Sequence, residues 1–298
     1  MNLTDPLREL LGFVGAYLSI GVVGLRYAVL GPALERDGGS GGGDAPRAGV
    51  FSSVSRRAAG VGLAGIALST TLLLATAVRI GHARDMPLVD VLVAGRGQAA
   101  YELILFALAI VGFGLVLARA PGGWPLAAVG TIGAALVNVI ALRWAAMVNP
   151  VHLLAGSLWI GTLFVLVTIA IPTVLAGPQS GDDKALTVAN LVHAFSPLAL
   201  TAVAVLVASG IVTAVGHLKY VAALWTTSYG QALIVKLCVV AVVLSLGAWN
   251  WRRVRPSLGT TASIDTLRRS ARRELAFAGL VLLITAVLVS LPSPRLPK

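Results

Sequence analysis

The sequence predicts an all-α polytopic membrane protein with eight transmembrane helices and a 4+4 parallel internal repeat. Three observations carry that expectation. Hydrophobic residues make up 57% of the 298 residues and charged ones only 12%, with a mean hydropathy of +0.89, whereas soluble domains are about one-quarter charged. Apolar runs of about 20 residues with almost no charge recur along the chain, the length that a hydrocarbon core of about 30 Å demands of a helix. The runs are continuous and rich in Leu, Ala, Val and Gly, unlike the alternating segments of about ten residues in a spanning barrel.

The eight runs lie near residues 9–30, 58–80, 99–119, 124–143, 151–176, 195–218, 230–251 and 274–291. The first follows "MNLTDPLREL", of mixed charge, and lacks a small-residue cleavage site, so it reads as a span and not as a leader. Residues 37–50, "DGGSGGGDAPRAGV", read as a Gly-rich flexible inner loop. The chain divides into a four-helix half at 1–150 and a second at 151–298. Cys238 is the only cysteine, so neither a disulfide framework nor a Cys-pair metal motif is expected.

The net charge of +11 raises the question of nucleic acid, but in a membrane protein Lys and Arg orient the spans. Arg36, Arg47, Arg56, Arg57, Arg119 and Lys184 fall on one side, joined by Arg252, Arg253, Arg255, Arg268, Arg269, Arg272 and Arg273. Arg8, Arg79, Arg84, Arg96, Arg143, Lys219, Arg295 and Lys298 fall on the other. The richer side is assigned to the cytoplasm, which puts both termini outside. The Arg runs then meet lipid headgroups and no nucleic acid.

The repeat rests on a shared order of signals. Gly81-His82 stands 16 residues before Gly97-Gln98, and Gly216-His217 stands 14 before Gly230-Gln231. With four spans per half, the copies share one orientation, and His82 and His217 become equivalent positions on the outer face. His152 opens the fifth span from that side. His193 is excluded, because the helical run to His217 spans roughly 36 Å. Met86 and Met147 also lie outside, near His82 and His152. Imidazole with thioether suits copper better than magnesium, calcium or manganese, so His152, His217, His82, Met86 and Met147 are the candidate metal ligands.

Charged and polar groups within the spans form a second set. Arg26, near an inner end, is expected to snorkel. Lys236 lies deep enough to face the protein interior, and Glu102, at the matching depth of the repeat, permits an ion pair with it. Lys236 also suits a gate against free cations. Cys238 reads as core. Asn138, Asn149 and Asn250 are expected to hydrogen-bond between helices, and Gly-rich faces such as "GTIGAAL" to allow close packing.

The segments "HLLAGSLWIGTLF", "HAFSPLALTAVAVLVASGIVTA" and "LWTTSYGQALIVKLCVVAVVLSLGAWNWRR" together resemble the copper-resistance protein D family of bacterial inner-membrane proteins. The residues that carry the likeness are His152, Trp159, Gly161, Phe195, Ser196, Ser209, Gly210, Tyr229, Gly230, Lys236 and Asn250. The resemblance implies an eight-span inner-membrane protein in copper uptake or tolerance, working beside a separate periplasmic copper-binding protein of the copper-resistance C type.

The leading expectation is therefore copper transport or copper handling, with copper accepted at the outer face, and Lys236, Glu102, Trp159 and Asn250 as intramembrane polar or gating residues. No GxxxxGK[ST] loop is present, which argues against ATP drive, and no span holds a hydrolytic constellation, so a transporter is favoured over an enzyme. One alternative is a membrane redox protein with haem b held by His82 and His217, the resemblance reaching distantly to haem-containing membrane protoporphyrinogen oxidases. Another is a structural subunit of a membrane complex.

Overall fold

The computed structural model describes residues 4–37, 44–137, 144–217, 222–254 and 261–291, and at several margins, Met147 and His217 among them, it describes the backbone but not the side chain. Most of the Gly-rich loop, together with Asn138 and Arg143, lies outside these residues. Within them the chain is helical throughout, with no strand.

Seven helices are long and apolar enough to cross a membrane: α1 (Asp5–Glu35), α2 (Ala48–Arg84), α3 (Gly97–Leu117), α5 (Val148–Leu175), α6 (Gly181–Val215), α7 (Ser228–Arg253) and α8 (Thr266–Ser290). Between α3 and α5 stands the shorter apolar α4, Gly123–Leu136. At about 1.5 Å per residue its length falls below the hydrocarbon thickness, and the remainder of that apolar run falls mainly on residues outside the description. The seven spans and α4 coincide in position with the eight expected runs.

The centre of the bundle is α1, which packs against α2, α4, α5, α6 and α8. The two halves of the chain thus share one core, in which Val22, Leu25 and Val29 of α1 meet Leu163, Leu166 and Val167 of α5. Small residues set the approach. A Cβ on Gly161 would strike the Tyr17 carbonyl oxygen, and one on Gly21 would strike the backbone of Gly161. Where the backbones meet, the Thr162 hydroxyl donates to the Gly21 carbonyl at 3.1 Å. The "GTIGAAL" face behaves as expected, since a Cβ on Gly130 would meet the backbone of Leu105 and Ala109 in α3. In lipid, helix association depends on such contact because there is no water to expel.

α5 is not a uniform helix. Turns widened to i→i+5 occupy Ser157–Gly161 and Leu166–Ala170, and another ends α7 at Asn250–Val254. Such turns often occur at functional positions, and these flank the cavity described below. α7 is held chiefly by α8, which leaves a gap where it faces α5 and α6.

Some expectations change with the structure. Glu102 lies on α3, which packs against α2 and α4, and it forms no ion pair with Lys236 among the described residues. Cys238 is exposed on an outward face of α7 instead of lying in the core. The Arg26 guanidinium lies 5.9 Å from the Trp124 ring centre and 6.0 Å from that of Tyr27, so cation–π contact anchors a head expected simply to reach the lipid surface.

Candidate functional site

His152 stands in the third turn of the helix that begins at Trp144, on the face turned to α6. Its ring Nδ1 is 2.9 Å from the Ser209 hydroxyl oxygen. Gly210 gives the ring room, since a Cβ there would stand 3.3 Å from His152 Cε1. Ser209 donates its own proton to the Val205 carbonyl at 2.7 Å. A hydroxyl has one proton; with that proton on the Val205 carbonyl, it is Nδ1 that carries the hydrogen in the contact with Ser209. Nε2 is then left with its lone pair, the tautomer a metal ligand needs.

The seam between α5 and α6 continues outward. Thr213 donates to Asn149 Oδ1 at 3.4 Å. The pairs 149:213 and 152:209 fix an antiparallel register that sets position 147 opposite 214–215. Met147 and His217 therefore belong to the outermost turns of adjoining helices, above His152. Lys236 of α7 is half-buried and lies within Coulombic range of the His152 ring.

His82 is elsewhere and exposed. The α2 terminus is closed by the Met86 N–H, which donates to the Gly81 carbonyl at 2.9 Å, around Asp85 at φ 52. That is the six-to-one closure of a Schellman cap. Gly81 is needed because a Cβ would come within 2.9 Å of the Met86 carbonyl oxygen. The two Gly-Gln signals also differ locally: Gly97 breaks the run into α3 at φ +73, whereas Gly230 lies in the first turn of α7, its N–H bound by the Thr227 hydroxyl at 3.0 Å. Among the described residues, no three His, Cys, Asp or Glu side chains gather closely enough to hold a metal ion.

Inward of His152 come Ser157, fully buried with no hydrogen-bond partner for its hydroxyl, and Trp159, 5% exposed. Trp159 lies about 10 Å along the axis from His152. It forms one wall of a cavity of about 330 Å³ between α5, α6, α7 and α8, whose lining is mostly apolar and includes Phe195 and Leu244. The polar exceptions are Ser196, Asn250, Arg252 and Glu274. Asn250 joins α7 to α8: its Nδ2 donates to Glu274 Oε2 at 3.0 Å, and its Oδ1 accepts from the Ser270 hydroxyl. The interhelical role expected of Asn250 is what the structure shows.

Glu274 escaped the sequence reading because it ends the charged run "RRSARRE". The signal was there in spacing. Leu267, Ala271, Glu274 and Ala278 recur on one helical face, and all four are buried, while Arg272 and Arg273 between them are exposed.

These features define a polytopic helical membrane protein whose C-terminal spans enclose an imidazole site toward one end and a cavity with a buried carboxyl group toward the other. Residues 189–288, which contain Ser209, Lys236, Asn250 and Glu274, match the family described as Copper resistance protein D. The likeness to that family covers about a third of the chain. The chain is also 34% identical over 151 residues to "Copper transport protein CutJ" of Bacillus subtilis (strain 168), an alignment covering 51% of this chain and 26% of that protein. The match therefore spans about a quarter of the relative's length. No solved structure matches the chain.

Proposed function

We propose that this protein handles copper in the bacterial inner membrane, accepting the ion at the outer face through His152 at the seam of α5 and α6 and moving it along the space these helices share with α7 and α8. The observation that supports this most is the 2.9 Å contact of Nδ1 with the Ser209 hydroxyl, which holds the ring and, with Nδ1 as the donor, leaves Nε2 its lone pair for a metal. Met147 and His217, on the turns outside it, supply soft and borderline donors suited to copper. A periplasmic copper-binding protein of the copper-resistance C type is the proposed donor, and both termini are assigned to the same outer side. The Gly81 carbonyl and the Met86 N–H close the α2 terminus, and the His82 and Met86 side chains are given a secondary part in copper binding.

Lys236 acts in this reading as a gate. An ammonium near the imidazole opposes a cation resting there, so an ion held at His152 is not trapped. Ser157, between His152 and the cavity, is a buried hydroxyl whose unmet hydrogen bond a passing ion or its water can satisfy.

The test is competition of purified protein with a copper chelator, comparing wild type with His152→Ala. The expected result is a loss of at least about tenfold in affinity, in the range reported for altered metal sites, with helicity and thermal unfolding retained. A folded variant with unchanged affinity removes His152 from the site.

A further inference from the structure

Glu274 is 5% exposed and stands eight residues into α8 from Thr266, about 12 Å along the axis. A carboxylate placed so deep in a span is costly unless neutralised. Its Oε2 is occupied by Asn250 Nδ2, and the Asn250 amide is itself fixed because its Oδ1 takes the Ser270 proton. The second oxygen, Oε1, would stand 3.6 Å from a Cβ on Gly247, and both residues line the cavity. One carboxylate oxygen is thus left open where Gly247 makes room.

The surroundings restrict what that oxygen can bind. Hard divalent ions need six or more oxygen ligands, and copper prefers nitrogen and sulfur. Here the Asn250 carbonyl is taken, the Ser196 hydroxyl donates to the Val192 carbonyl at 2.9 Å, and the other walls are mainly apolar. From α5 and α6 no charged side chain lines the cavity. α7 contributes Arg252, exposed at the margin, while Arg253 stacks over the Trp249 ring at 5.6 Å. On α8, Arg272 and Arg273 are exposed. Of the charged residues of α1 in this inner half, Arg26 is engaged with Trp124 and Glu35 is exposed. Among the described residues Glu274 has no ion-pair partner.

We propose that Glu274 is a proton-carrying site of the inner half of the protein, taking up and releasing a proton at Oε1 through the cavity, with Asn250 and Ser270 as positioning residues. Proton uptake converts the carboxylate to the neutral acid, and release restores it, with no other bond changed. The inference deepens the copper reading, because a carboxyl that loads and unloads a proton gives ion movement a source of energy. The proton site itself does not require copper.

The experiment uses the full chain in phosphatidylcholine vesicles treated with dicyclohexylcarbodiimide, which adds to protonated carboxyl groups in apolar surroundings, over a series of pH values. Peptide mass spectrometry is expected to find the reagent on Glu274, with a yield that falls as pH rises, and none at that position in Glu274→Gln. Asn250→Leu is expected to displace the pH midpoint, because it removes the donor to Oε2. Absence of label at Glu274 throughout, or a yield indifferent to pH, overturns the proposal; the wild-type result decides this even if a variant fails to fold. In the same vesicles an imposed pH gradient is expected to accelerate copper movement in wild type and to have no effect in Glu274→Gln. Normal labelling in a protein that moves no copper upholds the proton site and removes the copper reading instead.

Discussion

Replacing Ser209 with Ala takes away the acceptor that fixes the His152 ring while leaving every proposed copper ligand in place. The contact is a 2.9 Å hydrogen bond between α5 and α6, worth about 1 kcal/mol net. Its loss also frees the imidazole to turn and to move its proton to Nε2, the atom assigned to copper. Loss of partners that orient ligating histidines typically weakens metal binding 10–100-fold, or about 1.4–2.7 kcal/mol. Chelator competition in detergent is expected to show Ser209→Ala within that range, with helicity unchanged, and Ser209→Thr close to wild type because the hydroxyl is kept. The reasoning fails if Ser209→Ala binds as tightly as wild type while His152→Ala does not, since the imidazole would then act without orientation from α6.

Further outcomes follow from other contacts. Gly161→Ala, whose added methyl meets the Tyr17 carbonyl, is expected to lower stability by about 1–3 kcal/mol, whereas Gly114→Ala, with nothing within 4 Å of its Cβ, should not; thermal unfolding compares them. Lys236→Gln should slow copper dissociation measured by stopped-flow chelation, and unchanged release would remove the gate. A double-mutant cycle of Glu102→Gln and Lys236→Gln on stability should show coupling below about 0.5 kcal/mol, since the two form no pair. Thr173→Val, which removes the 3.2 Å hydrogen bond from Arg57, should cost about 1 kcal/mol in unfolding free energy.

The spans were legible because the apolar slab imposes length and composition together, and both are written in the chain. Close packing of α3 and α4 was legible for a related reason: in lipid, glycine is the direct means of bringing backbones together, and "GTIGAAL" announces it. His152 was legible as a polar group opening an apolar span. Its partner Ser209 was not legible as such, because serine in a helix often satisfies itself on a carbonyl four residues back, and Ser209 does this while also holding the ring. Gly81 of the first Gly-His dipeptide has a packing cause of its own, since a Cβ there would meet the Met86 carbonyl at the end of α2. Pairing Glu102 with Lys236 assumed that equal depth in two halves means adjacency, whereas the structure packs α3 on α2 and α4 and places α7 beside α8. Glu274 required rotation about α8 to be considered, because it is the one charged side chain of that run that is buried.

The central claim concerns the atoms that hold copper, so the most direct measurement is X-ray absorption at the copper edge on the full chain loaded with one equivalent of metal. The account expects imidazole scattering in the first coordination shell that is lost in folded His152→Ala, with sulfur scattering that diminishes in Met147→Leu. An unchanged spectrum in His152→Ala, or an optical spectrum of the purified protein dominated by a Soret band, would contradict it.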